Sequence, residues 1–143
     1  MAISEWQSVV RWAECDAAGI IYHARVFDWF SEGRITWLKN HGLDYYEVLR
    51  PQGIELLVKS ANAAFHHTLH PGDTVRLSVA LETVTPTRAV FHYRVAAPSA
   101  PELVAIEGVT EHAFVIGGRA RRLDRAAPQI LEQWQRSLRV GAC

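Results

Sequence analysis

Glu14-Cys15-Asp16-Ala17-Ala18-Gly19-Ile20-Ile21-Tyr22-His23 joins a strand-like apolar run, Trp6 to Trp12, to a long aromatic helical pattern, and the rest of the chain is read outward from it. The stretch keeps one carboxylate, Asp16, in a turn of small residues. Alanine and glycine let a backbone approach a ligand closely, and aromatic surroundings would partly desolvate the acid and raise its basicity or nucleophilicity. The competing reading is structural: a loop aspartate commonly caps a turn through its own backbone.

Downstream, the pattern predicts a helix from about Arg25 to His41. Val26, Phe27, Phe30, Trp37 and Leu38 recur at helical spacing, Asp28 and Glu32 suit the positive end, Lys39 and His41 suit the negative end, and Gly42 is a stop signal. Trp29 and Ile35 widen the apolar stripe, so burial on several sides is expected. Gly33 costs about 1 kcal/mol against alanine in mid-helix, which points to close approach of a neighbour.

Asp44 to Leu49 suits a short helical turn, and Pro51-Gln52-Gly53 breaks the chain. Strands follow. Ile54 to Thr68 is a long mixed run, and His70-Pro71-Gly72-Asp73 reads as a hairpin turn. Val75, Leu77, Val79 and Leu81 alternate with polar or small residues, Phe91, Tyr93 and Val95 continue the alternation, and Pro98 to Pro101 reads as a longer loop. Leu103 to Ile116 is a last long strand, Gly117-Gly118 ends it, and Pro128 to Leu138 reads as a closing helix. Strand, apolar helix, then four strands implies a single α+β domain over 1–143, an antiparallel sheet with the helix on one face. Such a sheet leaves an edge strand to cover, so a dimer or larger oligomer is expected.

Composition narrows the function. The 143 residues are 49% hydrophobic, with 15 basic and 15 acidic side chains. A balanced charge gives no global field to attract nucleic acid or an acidic membrane. No apolar run approaches a bilayer span, and Met1 to Glu5 lacks the basic flank and apolar block of a signal peptide, so the cytoplasm is the expected compartment. Cys15 and Cys143 match no disulfide or metal spacing and read as free thiols. His66 and His67 are strand neighbours facing opposite ways, so they do not read as a metal pair.

Asp16-Ala17-Ala18-Gly19-Ile20-Ile21-Tyr22 resembles the acidic turn of the hotdog-fold acyl-CoA thioesterases of the 4-hydroxybenzoyl-CoA thioesterase type: Asp-x-x-Gly, two branched apolar residues and an aromatic before a long helix. Ser60-Ala61-Asn62-Ala63-Ala64-Phe65, leading to Pro71-Gly72-Asp73-Thr74-Val75, is similar to that family's second strand and turn. The resemblance implies a hotdog fold, an antiparallel sheet wrapped around a long central helix, assembled as a homodimer or homotetramer. It implies hydrolysis of an aromatic or short-chain acyl-CoA thioester with no cofactor, Asp16 acting as nucleophile or general base. His23 resembles the histidine after the aromatic in thioesterases encoded with the Tol-Pal envelope system, and could orient the thioester or protonate the departing thiolate.

By the same resemblance, Gly19 and Tyr22 of the motif, with Trp29 and Phe30, would border the acyl group. Backbone donors near Gly53, Ile54 and Glu55 would come from a partner subunit. Arg119, Arg121 and Arg122, with Arg125, form the one basic cluster and could hold the phosphates of coenzyme A; the alternative is a solvated turn. Two other functions share the fold. A dehydratase or hydratase would carry an Asp-His pair in the helix region, and Asp28 is not followed by histidine. A non-catalytic acyl-binding module would not depend on Asp16.

Overall fold

The computed structural model describes residues 2–139. Strands β1 (Ile3–Val9), β2 (Ile54–Phe65), β3 (Thr74–Val84), β4 (Arg88–Ala97) and β5 (Ala100–Ile116) form one antiparallel sheet in the order β1-β3-β4-β5-β2, with a two-residue β6 (Arg119–Ala120) folded back on the end of β5. Helix α1 (Val26–Asn40) lies across its concave face, and α2 (Leu123–Ala126) and α3 (Pro128–Arg139) close the chain. No helix among the described residues is long and apolar enough to cross a membrane. Cys143 lies outside the described residues.

The alternation read in β3 and β4 points inward as expected. Val75, Leu77, Val79 and Leu81 are buried, as are Phe91, Tyr93 and Val95. α1 buries Val26, Trp29, Phe30, Trp37 and Leu38 against that face, while Ile35 stays exposed. Gly33 allows the contact: a Cβ there would lie 2.5 Å from Leu77 Cδ2 and 2.6 Å from Val79 Cγ2. Trp37 is anchored at the helix end by its indole N–H, which donates to the Ala2 carbonyl at 3.1 Å, and its ring packs on Trp134 of α3.

Several expectations are corrected. The first strand ends at Val9, and Trp12–Glu14 is a 3-10 turn. β2 stops at Phe65 instead of running to Thr68. The Pro71-Gly72 turn is real, with Gly72 N–H donating to Val10 O at 2.9 Å, but it does not make a hairpin. It carries the chain across the molecule, since β3 pairs with β1 and β2 pairs with β5 at the other edge. The loop expected at Pro98 to Pro101 is a tight link, because β5 already begins at Ala100. β6 was too short to show a period.

A buried polar chain runs under α1. Arg34 Nη1 donates to Tyr93 Oη (3.0 Å), Tyr93 Oη lies 2.7 Å from Thr110 Oγ1, and Thr110 Oγ1 lies 2.8 Å from His112 Nε2. Arg34 donates to the phenol oxygen, each hydroxyl of the chain has a partner on either side, and His112 is held through Nε2 while its Nδ1 is buried without a partner among the described residues. Burial, helped by the Arg34 charge, pushes the His112 pKa down to about 4. An unfolded histidine titrates near 6.5, so between these values the unfolded chain binds more protons and stability falls as pH drops, by roughly 3 kcal/mol in all. Thermal unfolding should show that fall between pH 6.5 and 4, and His112→Gln should flatten it. Gly33→Ala should destabilise the protein by about 1–2 kcal/mol in denaturant titrations, because displacement of Leu77 and Val79 outweighs the gain in helix propensity.

Candidate active site

The Asp16 turn is closed by its own backbone. Asp16 N–H donates to Ile20 O and Gly19 N–H to Asp16 O, both at 3.0 Å, and Gly19 takes the left-handed conformation (φ 77°) that the closure needs. Cys15 bridges to Ile21, and Ile21 N–H donates to Leu69 O at 2.9 Å, which ties the loop to the segment after β2. Asp16 Oδ1 accepts from Ala18 N–H at 2.8 Å. The turn-capping role is thus present, and it leaves Oδ2 without a hydrogen-bond partner among the described residues. The desolvation expected around Asp16 is not found in this chain, where the residue is exposed.

Asp16 and His23 do come together. Both line a cleft of about 280 Å³ with Ile20, Ile21 and Phe65 as its apolar wall and His66, His67 and Thr68 along one side. His23 opens the 3-10 turn His23–Arg25 that runs straight into α1, so the cleft lies at the amino end of the central helix, where the helix dipole favours negative charge. Its ring lies beside that of half-exposed Tyr22, with centroids 4.6 Å apart. Among the described residues no set of three His, Cys, Asp or Glu side chains gathers as a metal site.

Other expected positions lie elsewhere. Trp29 and Phe30 are core residues and not acyl-pocket walls of this cleft: Trp29 is 2% exposed, and Phe30 is fully buried and stacked on Tyr93 with centroids 4.3 Å apart. Gly53 ends a short helical turn, Ile54 is buried, and Glu55 is exposed and accepts from Tyr45 Oη at 2.7 Å. These three sit at the opposite end of β2 from Phe65; at about 3.3 Å per residue the two ends are roughly 35 Å apart. Arg119 is at that far end too, because Ile116 pairs with both Ile54 and Arg119. Arg121, Arg122 and Arg125 line a groove of about 270 Å³ beside it. Arg122 is engaged by Asp124 through two contacts of 2.9 and 3.1 Å, whereas Arg121 makes no ion pair among the described residues.

Sequence reading missed Glu14, which is only 4% exposed. Its Oε1 accepts from Arg11 N–H and its Oε2 from the Trp29 indole N–H, both at 2.8 Å. Burial pushes the carboxyl up, but these hydrogen bonds and the Arg11 guanidinium outweigh it and hold the pKa below the usual range. The signal was half present: Glu14 stands three residues after Arg11, as in a capping box, but arginine cannot accept as the Ser or Thr of that motif does. Phe65, His66 and His67 were also overlooked as cleft residues.

Comparison with known proteins places the chain. Residues 10–134 match the family model of the thioesterase-like superfamily. The chain belongs to that superfamily. Its fold is the hotdog expected from the sequence, and the resemblance to acyl-CoA thioesterases is confirmed at the level of family. Bacillus subtilis YneP, provisionally named an acyl-CoA thioesterase, is 28% identical over 115 residues, spanning 80% of this chain and 81% of YneP. A 1,4-dihydroxy-2-naphthoyl-CoA hydrolase of Prochlorococcus marinus is 23% identical over 141 residues, 93% of this thioesterase-like chain and 89% of that one. In shape, the crystal structure of DHNA-CoA thioesterase from Staphylococcus aureus superposes with a TM-score of 0.89 at 24% identity, over 99% of this chain and 95% of that one.

Proposed function

We propose that the protein is a cytoplasmic acyl-CoA thioesterase that hydrolyses an aromatic or short-chain acyl-CoA to the free acid and coenzyme A. The observation that carries this reading is the convergence of Asp16 and His23 on an apolar-walled cleft at the amino end of the central helix, in a chain of the thioesterase-like superfamily. The Asp16 Oδ2 oxygen either attacks the thioester carbonyl or takes a proton from the water that does. Negative charge then develops on the carbonyl oxygen, where the N–H groups at the start of α1 oppose it. The thiolate leaves and is protonated, with His23 the imidazole on the helix side, and where Asp16 has attacked directly, water then cleaves the mixed anhydride to release the acid and restore the carboxylate. Ile20, Ile21 and Phe65 suit a flat or short acyl group better than a long one.

The active unit in this reading is a homodimer, or a homotetramer built from such dimers. β2 is an edge strand with Leu57, Val58 and Phe65 exposed, so a second copy can continue the sheet there. Antiparallel pairing of β2 with its symmetry mate lays the Phe65 end of one copy beside the Gly53 end of the other. That arrangement brings the partner's end of the molecule, with its backbone donors near Gly53, Ile54 and Glu55, to each Asp16. The basic groove of Arg119, Arg121 and Arg122 then flanks the cleft mouth, where it suits the phosphates of coenzyme A.

Thiol release from a panel of benzoyl-type and short aliphatic acyl-CoAs tests the function. Asp16→Asn should stay folded and bind substrate but lose roughly 10² or more in kcat, because an amide neither attacks nor accepts a proton. Wild-type turnover by Asp16→Asn would reduce the turn to a structural element. Replacing Arg121 and Arg122 together by alanine should raise KM for coenzyme A thioesters with little change in kcat, and should leave a truncated pantetheine thioester unaffected. Equal weakening of both substrates would assign the cluster to the fold.

A further inference from the structure

Among the described residues Asp16 makes its hydrogen bonds only within its own loop: its carboxylate is bound by Ala18 N–H, and its backbone groups pair with Ile20 and Gly19. Where the acid stands relative to the helix start is therefore decided at the loop's two ends. Glu14 holds both. Its carbonyl accepts from Tyr22 N–H at 2.9 Å, which clamps the exit of the loop to its entrance, and its buried carboxylate accepts from Trp29 inside α1 and from Arg11 where the chain leaves β1. Trp29 is itself 2% exposed. Strand exit and helix are joined through the side chain of this one residue, and the two ends of the loop through its carbonyl.

Three donors converge on this carboxylate: the Arg11 N–H, the Arg11 guanidinium at 3.4 Å and the Trp29 indole. Both oxygens are engaged and the group is almost fully enclosed, so it is not placed to meet a substrate. An ionised carboxylate is the only side chain of this length that accepts at both ends. Glutamine presents one oxygen and one NH2 group, so either the strand donor or the helix donor would face a donor. Aspartate is a methylene too short.

We propose that Glu14 is a positioning residue for Asp16: by locking the acidic loop to Trp29 it fixes the distance between the Asp16 carboxylate and the amino end of α1. The proposal rests on the reading of Asp16 as the reacting group. Loss of the lock leaves the carboxylate chemically intact and displaces it, and a displacement of about 1 Å is enough to lower turnover as much as 10²-fold. Substrate binding, carried by other residues, is little affected.

The test compares wild type, Glu14→Gln, Trp29→Phe, the Glu14→Gln/Trp29→Phe double variant and Asp16→Asn in thiol release from the best acyl-CoA of the panel. Indole N–H signals of 15N-tryptophan-labelled protein report the bond itself. Each single change should lower kcat by about tenfold or more with KM within about threefold of wild type, and the Trp29 indole signal should shift in Glu14→Gln. The double variant should be no worse than the poorer single one, because both break the same bond. A folded Glu14→Gln protein with a shifted Trp29 signal and kcat within about twofold of wild type would overturn the proposal, while the Asp16 reading would stand on Asp16→Asn. Should Glu14→Gln fail to fold, Trp29→Phe decides: activity lost only in proportion to folded protein would overturn the positioning role. A wild-type protein that releases no thiol, or an Asp16→Asn protein as active as wild type, would remove both readings together.

Discussion

Helix α1 sits so near the sheet that two facing positions admit no side chain. A Cβ on Gly33 would collide with Leu77 and Val79 of β3, and one on Gly108 of β5 would lie 2.5 Å from both the Phe30 ring and the Asn62 carbonyl oxygen. This close contact fixes the rest. It lets Phe30 stack on Tyr93, seats Trp37 between Phe91 and Trp134, and holds the amino end of α1 at the rim of the sheet, where the Asp16 loop meets it. A helix a few ångströms further out would carry His23 away from Asp16 and pull Trp29 off Glu14.

In the proposed reading, the same packing leaves the site divided. The carboxylate and imidazoles stand at the Phe65 end of β2, and the Gly53 turn and the arginines stand at the other. Within one chain the length of β2 separates the two groups. An antiparallel copy can bring them together, and the apolar residues left exposed along that edge favour its burial. Assembly and chemistry in this account are therefore one problem.

Much of this was legible in the residues. Periodicity placed α1 to within one residue at each end, and strict alternation placed β3 and β4, because each element keeps one face against the core. The acidic turn was legible because its small residues and Gly19 serve a local closure. What depended on distant partners was not. Pro71-Gly72 marks a turn wherever the next strand goes, so the hairpin reading failed once β3 paired with β1. Trp29 and Phe30 lie on the helix face that meets the sheet, and helical spacing does not tell a core wall from a pocket wall. Glu14 carried no outward mark of burial, since its burial is created by Trp29, fifteen residues on.

The composite site is the central claim, and subunit complementation addresses it most directly. Asp16→Asn subunits are mixed with subunits altered at Gly53, each inactive alone, under conditions that allow exchange, and thiol release from an acyl-CoA is followed. The account predicts that activity returns on mixing, toward the level of one working site per mixed dimer, with light scattering reporting at least a dimer throughout. Two inactive parents that stay inactive after proven exchange, or a fully active monomer, would contradict it.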